Sequence, residues 1–229
     1  MIAVIGDIHG CYHTLVKLVD QLDRYFPNVP IYSVGDLVDR GNFSFEVVEL
    51  FLERKIFFTP GNHDLMFAAH FQKPNSIFAR SWFDNGAETT LRSYQNRFNK
   101  IDEHLNYINS MPLFFNNDDC FISHAGISSR FDKFINDSVI KDDNLLIEIL
   151  SQSLETDYGI LWCRERLLNL GKLQVVGHTR MPEPKYDSQS DSIYIDCGAV
   201  SGNKLVAVII ENGKVFEYLW TRTELIDIA

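Results

Sequence analysis

Five short segments of this 229-residue chain carry side chains able to hold a metal ion. They are Gly6-Asp7-Ile8-His9-Gly10, Gly35-Asp36-Leu37-Val38-Asp39-Arg40-Gly41, Gly61-Asn62-His63-Asp64, Ser123-His124-Ala125-Gly126 and Gly177-His178-Thr179. Taken singly each is a weak signal, because Asp or Asn beside Gly is usually a turn former and a lone His usually a hydrogen-bonded structural residue. Turn chemistry alone does not require a ligand-type residue in all five; a shared site does. A mixed Asp/His/Asn set suits divalent transition metals better than calcium, which prefers oxygen ligands.

Other chemistries fit less well. Cys11 and Lys17 mimic the spacing of a cysteine-phosphatase loop, but the arginine of such a loop is missing, so Cys11 is expected to be structural. Cys11, Cys120, Cys163 and Cys197 are far apart and form no C-x-x-C pair, which suits reduced buried thiols rather than a zinc knuckle or a disulfide framework. Ser123 lacks the flanking glycines of a nucleophile elbow. The side chains of Asp7 and His9 would fill the space in which a G-x-G-x-x-G loop brings backbone to pyrophosphate.

The flanking sequence says what must position these segments. Residues 1–5 are an apolar, β-branched run that stops at Gly6, and Leu15, Leu18, Val19 and Leu22 then recur at helical spacing over residues 12–25. The unit repeats as strand 31–34, loop 35–42 and helix 44–54 with Ser44 as N-cap, and again as strand 56–59, loop 60–64 and helix 65–71. Strands at 120–122 and 173–176 end at the His124 and His178 segments, and strands follow at 193–196, 205–210 and 215–220. Asn212-Gly213 marks a hairpin between the last two.

Strands alternating with helices predict an α/β layered fold, in which ligands sit beyond the carboxyl ends of the strands, where the polar loops fall. Residues 76–111, with Trp82, Phe83, Tyr94 and Phe98, have helical character and form either a lid or, preferably, a packed helical layer. No repeat, low-complexity tract or linker interrupts the chain, so a single domain over residues 1–229 is expected, with the helical stretch at about 65–115 helping to shape the site.

Composition narrows the function classes. A hydrophobic share of 45% supports a substantial core. The net charge of −10, from 21 Lys and Arg against 31 Asp and Glu, argues against nucleic acid or an anionic membrane as partner. An anionic substrate therefore needs local positive charge. No apolar run approaches the roughly 20 residues of a membrane span, and the N-terminus lacks a secretory pattern, so a cytoplasmic location is expected.

Together the five segments resemble the signature blocks of the calcineurin-like metallophosphoesterase superfamily, GDxHG, GDxxDRG, GNHD/E, HAG and GHT, over nearly the whole chain. Gly35-Asp36-Leu37-Val38-Asp39-Arg40-Gly41, Trp162-Cys163-Arg164-Glu165-Arg166 and Tyr194-Ile195-Asp196-Cys197-Gly198-Ala199-Val200 resemble the bacterial and phage branch of the phosphoprotein phosphatases, which includes lambda phosphatase. The resemblance implies a layered β-sandwich of mixed sheets flanked by helices.

It also implies a ligand set. Asp7, His9 and Asp36 would hold one divalent cation, and Asp36, Asn62, His124 and His178 a second, with Asp36 as the bridge. Manganese is the first expectation, and iron, zinc, nickel or cobalt would also suit the donors. Hydrolysis would proceed by direct attack of a metal-bridging hydroxide. His63 would protonate the departing oxygen with Asp39 behind it, or merely brace Asn62.

Arg40 and Arg164 would grip the phosphate, unless Arg164 only pairs with Glu165; Glu165 and Arg166 would support. Asp196 is a candidate partner for a ligand histidine. The leading expectation is a serine/threonine protein phosphatase acting on phosphorylated protein or small phosphoesters. The alternative is a symmetrical bis(5′-nucleosyl)-tetraphosphatase producing ADP, which the Gly61-Asn62-His63-Asp64-Leu65 and His124-Ala125-Gly126-Ile127 segments resemble as much. Asp64 and Pro60 depart from the Glu and Arg usual in the phosphatase branch, which leaves the substrate open. A metal-dependent binding module without catalysis is a third possibility. Oligomeric state has no signature in the sequence.

Overall fold

The apolar runs near the two ends of the chain become neighbouring strands of one sheet. The computed structural model describes residues 1–228. Strands β1 (Ile2–Ile5), β2 (Ile31–Ser33) and β3 (Phe57–Phe58) pair in parallel, and β1 also pairs antiparallel with a later strand of residues Lys204–Glu211. A second sheet contains β4 (Phe114–Asn116), β5 (Phe121–Ser123), β6 (Gln174–Val176), β7 (Lys185–Asp187) and β8 (Ser192–Tyr194). The Lys204–Glu211 strand is β9, and β10 (Lys214–Arg222) completes the first sheet. The orders are β10-β9-β1-β2-β3 and β4-β5-β6-β8-β7, so both sheets are mixed and five-stranded.

The sheets pack face to face. Val4 and Val208 of the first join Ile122, Val175 and Ile193 of the second in one cluster, each fully buried. A fully buried Val or Ile side chain contributes roughly 1.5–3 kcal/mol. Side chains alternate across a strand, so Ala3 and Ile5 on either side of Val4 belong to a different cluster, under the helices.

Those helices are α1 (Tyr12–Tyr25), α2 (Ser44–Arg54) and α3 (Asn62–Gln72), followed by α4 (Ile77–Ser81), α5 (Ala87–Ser93) and α6 (Ile101–Ser110). Trp82 and Tyr94 are fully buried in this layer, while Phe83 and Phe98 are exposed. The middle segment is therefore packed on the first sheet rather than poised above it. The outer side of the second sheet is covered by α7 (Asp137–Ile140) and α8 (Asp143–Ser151), whose Leu146 and Leu150 pack with Phe121.

Local signals were partly redirected by tertiary contacts. Ser44 lies inside α2 instead of capping it, because its hydroxyl accepts the N–H of Asp39. Helix α3 starts at Asn62, so the segment expected as loop to Asp64 forms the helix's first turn. Asn212 and Gly213 both take left-handed backbone, with φ of 52° and 73°, as a tight hairpin requires. Among the described residues no helix is long and apolar enough to cross a membrane.

Candidate metal centre

All five ligand-bearing segments converge at the strand ends where the two sheets meet. Asp7 follows β1, Asp36 follows β2, Asn62 opens α3 after β3, His124 follows β5 and His178 follows β6. All of these side chains are buried. The turns that deliver them are tight: His9, Asp36, Asp39, Arg40 and His178 have φ between 48° and 72°. Such left-handed backbone at non-glycine residues costs of order 1–3 kcal/mol each and clusters at functional sites. Two glycines are dictated by proximity, since a Cβ on Gly61 would lie 2.0 Å from Asp36 Oδ1 and one on Gly177 would lie 1.9 Å from Asp7 Oδ1.

The hydrogen bonds define which atoms face inward. His9 Nδ1 donates to the Val38 carbonyl at 2.9 Å and His124 Nδ1 to the Val34 carbonyl at 2.8 Å. This fixes both rings with the Nε2 lone pair directed elsewhere. His9 Nε2 lies 3.3 Å and His124 Nε2 lies 3.6 Å from Asp36 Oδ2. His124 Nε2 is also 3.0 Å from Asn62 Oδ1, and His178 Nε2 is buried with no hydrogen-bond partner. Acceptors thus face acceptors, an arrangement that favours a cation between them.

Ligand atoms of Asp7, Asp36 and His124 lie within 4.8 Å of one another, and so do those of His9, Asp36 and His63. Asp36 Oδ1 already accepts the N–H of His63 at 3.0 Å. Asp36 Oδ2 faces both His9 and His124, so Asp36 is the residue that would be shared between two cations.

The electrostatics agree. Burial, together with Asp196 and Asp36, pushes the Asp7 carboxyl well above the usual range. Burial would also raise Asp36, but His124, His63, His9 and His178 hold it below the ordinary value. Burial lowers His9 to about 3 and His178 to about 2, so both imidazoles are neutral and able to ligate. The donor set and its spacing fit a divalent pair.

Around the cluster stand the other candidates. His63 Nδ1 donates to Asp39 Oδ2 at 2.7 Å, and both side chains are buried. Arg40 Nη1 lies 2.9 Å from His9 Nε2, and Arg164 Nη1 donates to the His178 carbonyl at 3.2 Å. Arg164 is not the partner of Glu165, whose carboxylate takes Arg130 and Ser128 instead. Asp196 does not reach a ligand histidine; its Oδ1 accepts the N–H of Gly198 at 2.9 Å and closes its own turn. Main-chain carbonyls brace His9 and His124. Cys11, Cys120, Cys163 and Cys197 are buried free thiols, and burial pushes the Cys11 thiol far above its ordinary value, beyond useful nucleophilicity.

Two supports had no signal in the sequence. Trp82 Nε1 donates to both oxygens of Asp39, at 2.9 and 3.0 Å, and Thr90 Oγ1 donates to Oδ1 at 2.7 Å. They lie 43 and 51 residues from Asp39, and no spacing rule connects them. Asp64, noted only as a departure from a motif, accepts the N–H of Leu37 and of Gly61, each at 2.9 Å. Burial and Asp36 raise its carboxyl to about 8.

Known proteins resemble this chain in sequence and in shape. The asymmetrical bis(5′-nucleosyl)-tetraphosphatase PrpE of Anoxybacillus flavithermus is 28% identical over 225 residues, 90% of this chain and 88% of the relative. The Bacillus cereus protein of the same name is 28% identical over 233 residues, with 90% and 88% coverage. Among solved structures, the cold-active protein-tyrosine phosphatase of a Shewanella species has a TM-score of 0.67 at 17% identity, covering 97% of this chain and 80% of that one. A putative diadenosine tetraphosphatase has a TM-score of 0.59 at 20% identity, with 97% and 93% coverage. The structural likenesses speak for the fold, mixed sheets flanked by helices. Over residues 1–210 the sequence matches the calcineurin-like phosphoesterase family, and the chain belongs to that family.

Proposed function

We propose that this metallophosphoesterase hydrolyses dinucleoside tetraphosphates, using two divalent cations held by Asp7, His9, Asp36, Asn62, His124 and His178. The observation that carries the site is the convergence of buried donor atoms, Asp7, Asp36 and His124 in one group and His9, Asp36 and His63 in another, with His178 Nε2 buried without a hydrogen-bond partner. When bound, the cations would supply Lewis acidity and lower the pKa of a hydrolytic water, with manganese the first candidate and iron, zinc, nickel or cobalt also suited. The substrate choice is supported by the tetraphosphatase relatives, which match 90% of the chain.

The chain's own groups do the rest. Asp39 fixes His63 through Nδ1, which leaves Nε2 to deliver a proton to the departing oxygen. The Arg40 guanidinium lies beside His9, with Nη1 2.9 Å from its Nε2, and is placed to donate to a phosphate oxygen at the cluster. Arg164, held at the His178 carbonyl, offers a second guanidinium. A cytoplasmic location and a small phosphoester substrate belong to the same reading.

A second reading, a phosphoprotein phosphatase, is favoured by the buried Asp39–His63 pair, a feature of the branch that this chain resembles. Metal analysis and a substrate panel on one purified sample separate the two. Two equivalents of divalent cation and faster turnover of diadenosine tetraphosphate than of phosphoserine or phosphothreonine peptides are expected. Faster turnover of the peptides overturns the substrate, and a sample that binds no cation overturns the site.

A further inference from the structure

A cavity of about 610 Å³ opens beside the cluster, lined by Phe78, Ser81, Glu155, Asp157, Trp162 and Arg164 among others. Phe78 and Trp162 form its aromatic wall, with nearly parallel rings inclined by 25° and centroids 6.1 Å apart. The Trp162 ring in turn lies 6.0 Å from the ring of His178, edge to face. Arg164 belongs to both places, lining the cavity and donating to the His178 carbonyl.

These walls select a kind of occupant. Aromatic faces stack flat π-systems, worth about 1–3 kcal/mol per nucleobase in other proteins. The carboxylates of Glu155 and Asp157 accept hydrogen bonds from an amine and repel phosphate. A base with an exocyclic amine fits these walls, and Arg164 is left to the phosphate.

We infer that this cavity is a nucleobase subsite for an amine-bearing base such as adenine. The inference rests on the hydrolase reading of the adjoining cluster. Trp162 and Arg164 both touch His178, so the phosphate of a nucleotide whose base stacks in the cavity would face the cluster.

The test uses the metal-loaded full chain and inhibition of p-nitrophenyl phosphate turnover. AMP should inhibit more strongly than ribose 5-phosphate, which has the same phosphate and no base, by about 5- to 150-fold, the usual range of stacking. Phe78→Ala should erase most of that ratio while p-nitrophenyl phosphate turnover persists. If Phe78→Ala does not fold, the exposed pair Glu155→Gln and Asp157→Asn should still reduce it. Equal inhibition by AMP and ribose 5-phosphate overturns the subsite. Stronger inhibition by an arginine-bearing phosphoserine peptide, lost in the Glu155 and Asp157 variants, would make the cavity a peptide groove and overturn it as well. Failure of the loaded chain to turn over p-nitrophenyl phosphate sinks the hydrolase reading instead, and calorimetric titration with AMP against ribose 5-phosphate then still decides the subsite.

Discussion

Asp39 shows how the candidate acid is held. Its carboxylate receives the Trp82 indole N–H, the Thr90 hydroxyl and His63 Nδ1, so its orientation is fixed from three sides. A histidine held in this way by a buried carboxylate is prepared to carry a proton at its other nitrogen. His63→Asn should leave the cation content of the protein unchanged while kcat falls by about 10²–10⁴, the span of a lost general acid. Because His63 also lies within ligand range of His9 and Asp36, the same measurement tests the rival role. Cation loss would make it a ligand, and unchanged turnover would make it a brace. Asp64 carries a different burden, closing two main-chain donors at Leu37 and Gly61 that have no solvent to turn to. Each orphaned buried donor costs about 1–3 kcal/mol, so Asp64→Ala should lower unfolding stability by about 2–6 kcal/mol in a denaturant titration. A loss under about 1 kcal/mol would mean that water replaces the carboxylate.

At the scale of elements, the first three strand-helix units were legible because hydrophobic periodicity and the stop at Gly6, Gly35 and Gly61 coincide. Strands β4 and β7 were not, since each is three residues long, lies at a sheet edge and buries at most one side chain. Helices α7 and α8 did leave a signal, as Asn136 and Asp142 cap them through side-chain oxygens. The residues that converge at the cluster could be named from motifs, whereas the clamp on Asp39 could not, because it depends on how the middle helices dock. Those helices are joined by His104 of α6, whose Nδ1 accepts the Tyr94 hydroxyl at 2.7 Å and whose Nε2 lies 3.0 Å from Glu49 of α2. Burial lowers its pKa from 6.5, partly offset by Glu49. Below about pH 6.5 the unfolded chain gains a proton that the folded one resists, so stability present above that pH is lost on acidification. His104→Gln should therefore unfold at a lower temperature than the parent at pH 7.5, and lose less on going to pH 5.5. Parallel melting curves for parent and variant would refute a role for His104 in the acid limb.

Across the whole molecule, the proposed ligands are divided between the two sheets. Asp7, Asp36 and Asn62 follow strands of the first, and His124 and His178 follow strands of the second. The sheets are joined there by the His178 N–H on Asp7 and by His124 on the Val34 carbonyl, alongside acceptors that face one another. Cations at this seam would replace that opposition with attraction and link the sheets, so binding should appear as global stability. A ligand at about 1,000 times its Kd contributes about 4 kcal/mol. For a chain of this length each kcal/mol is worth about 2–4 °C, which predicts a rise in Tm of about 8–16 °C with manganese. The net charge of −10 offers a competing explanation, since any salt relieves self-repulsion. Two controls separate the effects. Sodium chloride at matched ionic strength should give a small rise in both parent and Asp36→Asn, whereas manganese should give the large rise in the parent alone. A manganese response of equal size in Asp36→Asn would show that the cations act on surface charge and not at the seam between the sheets.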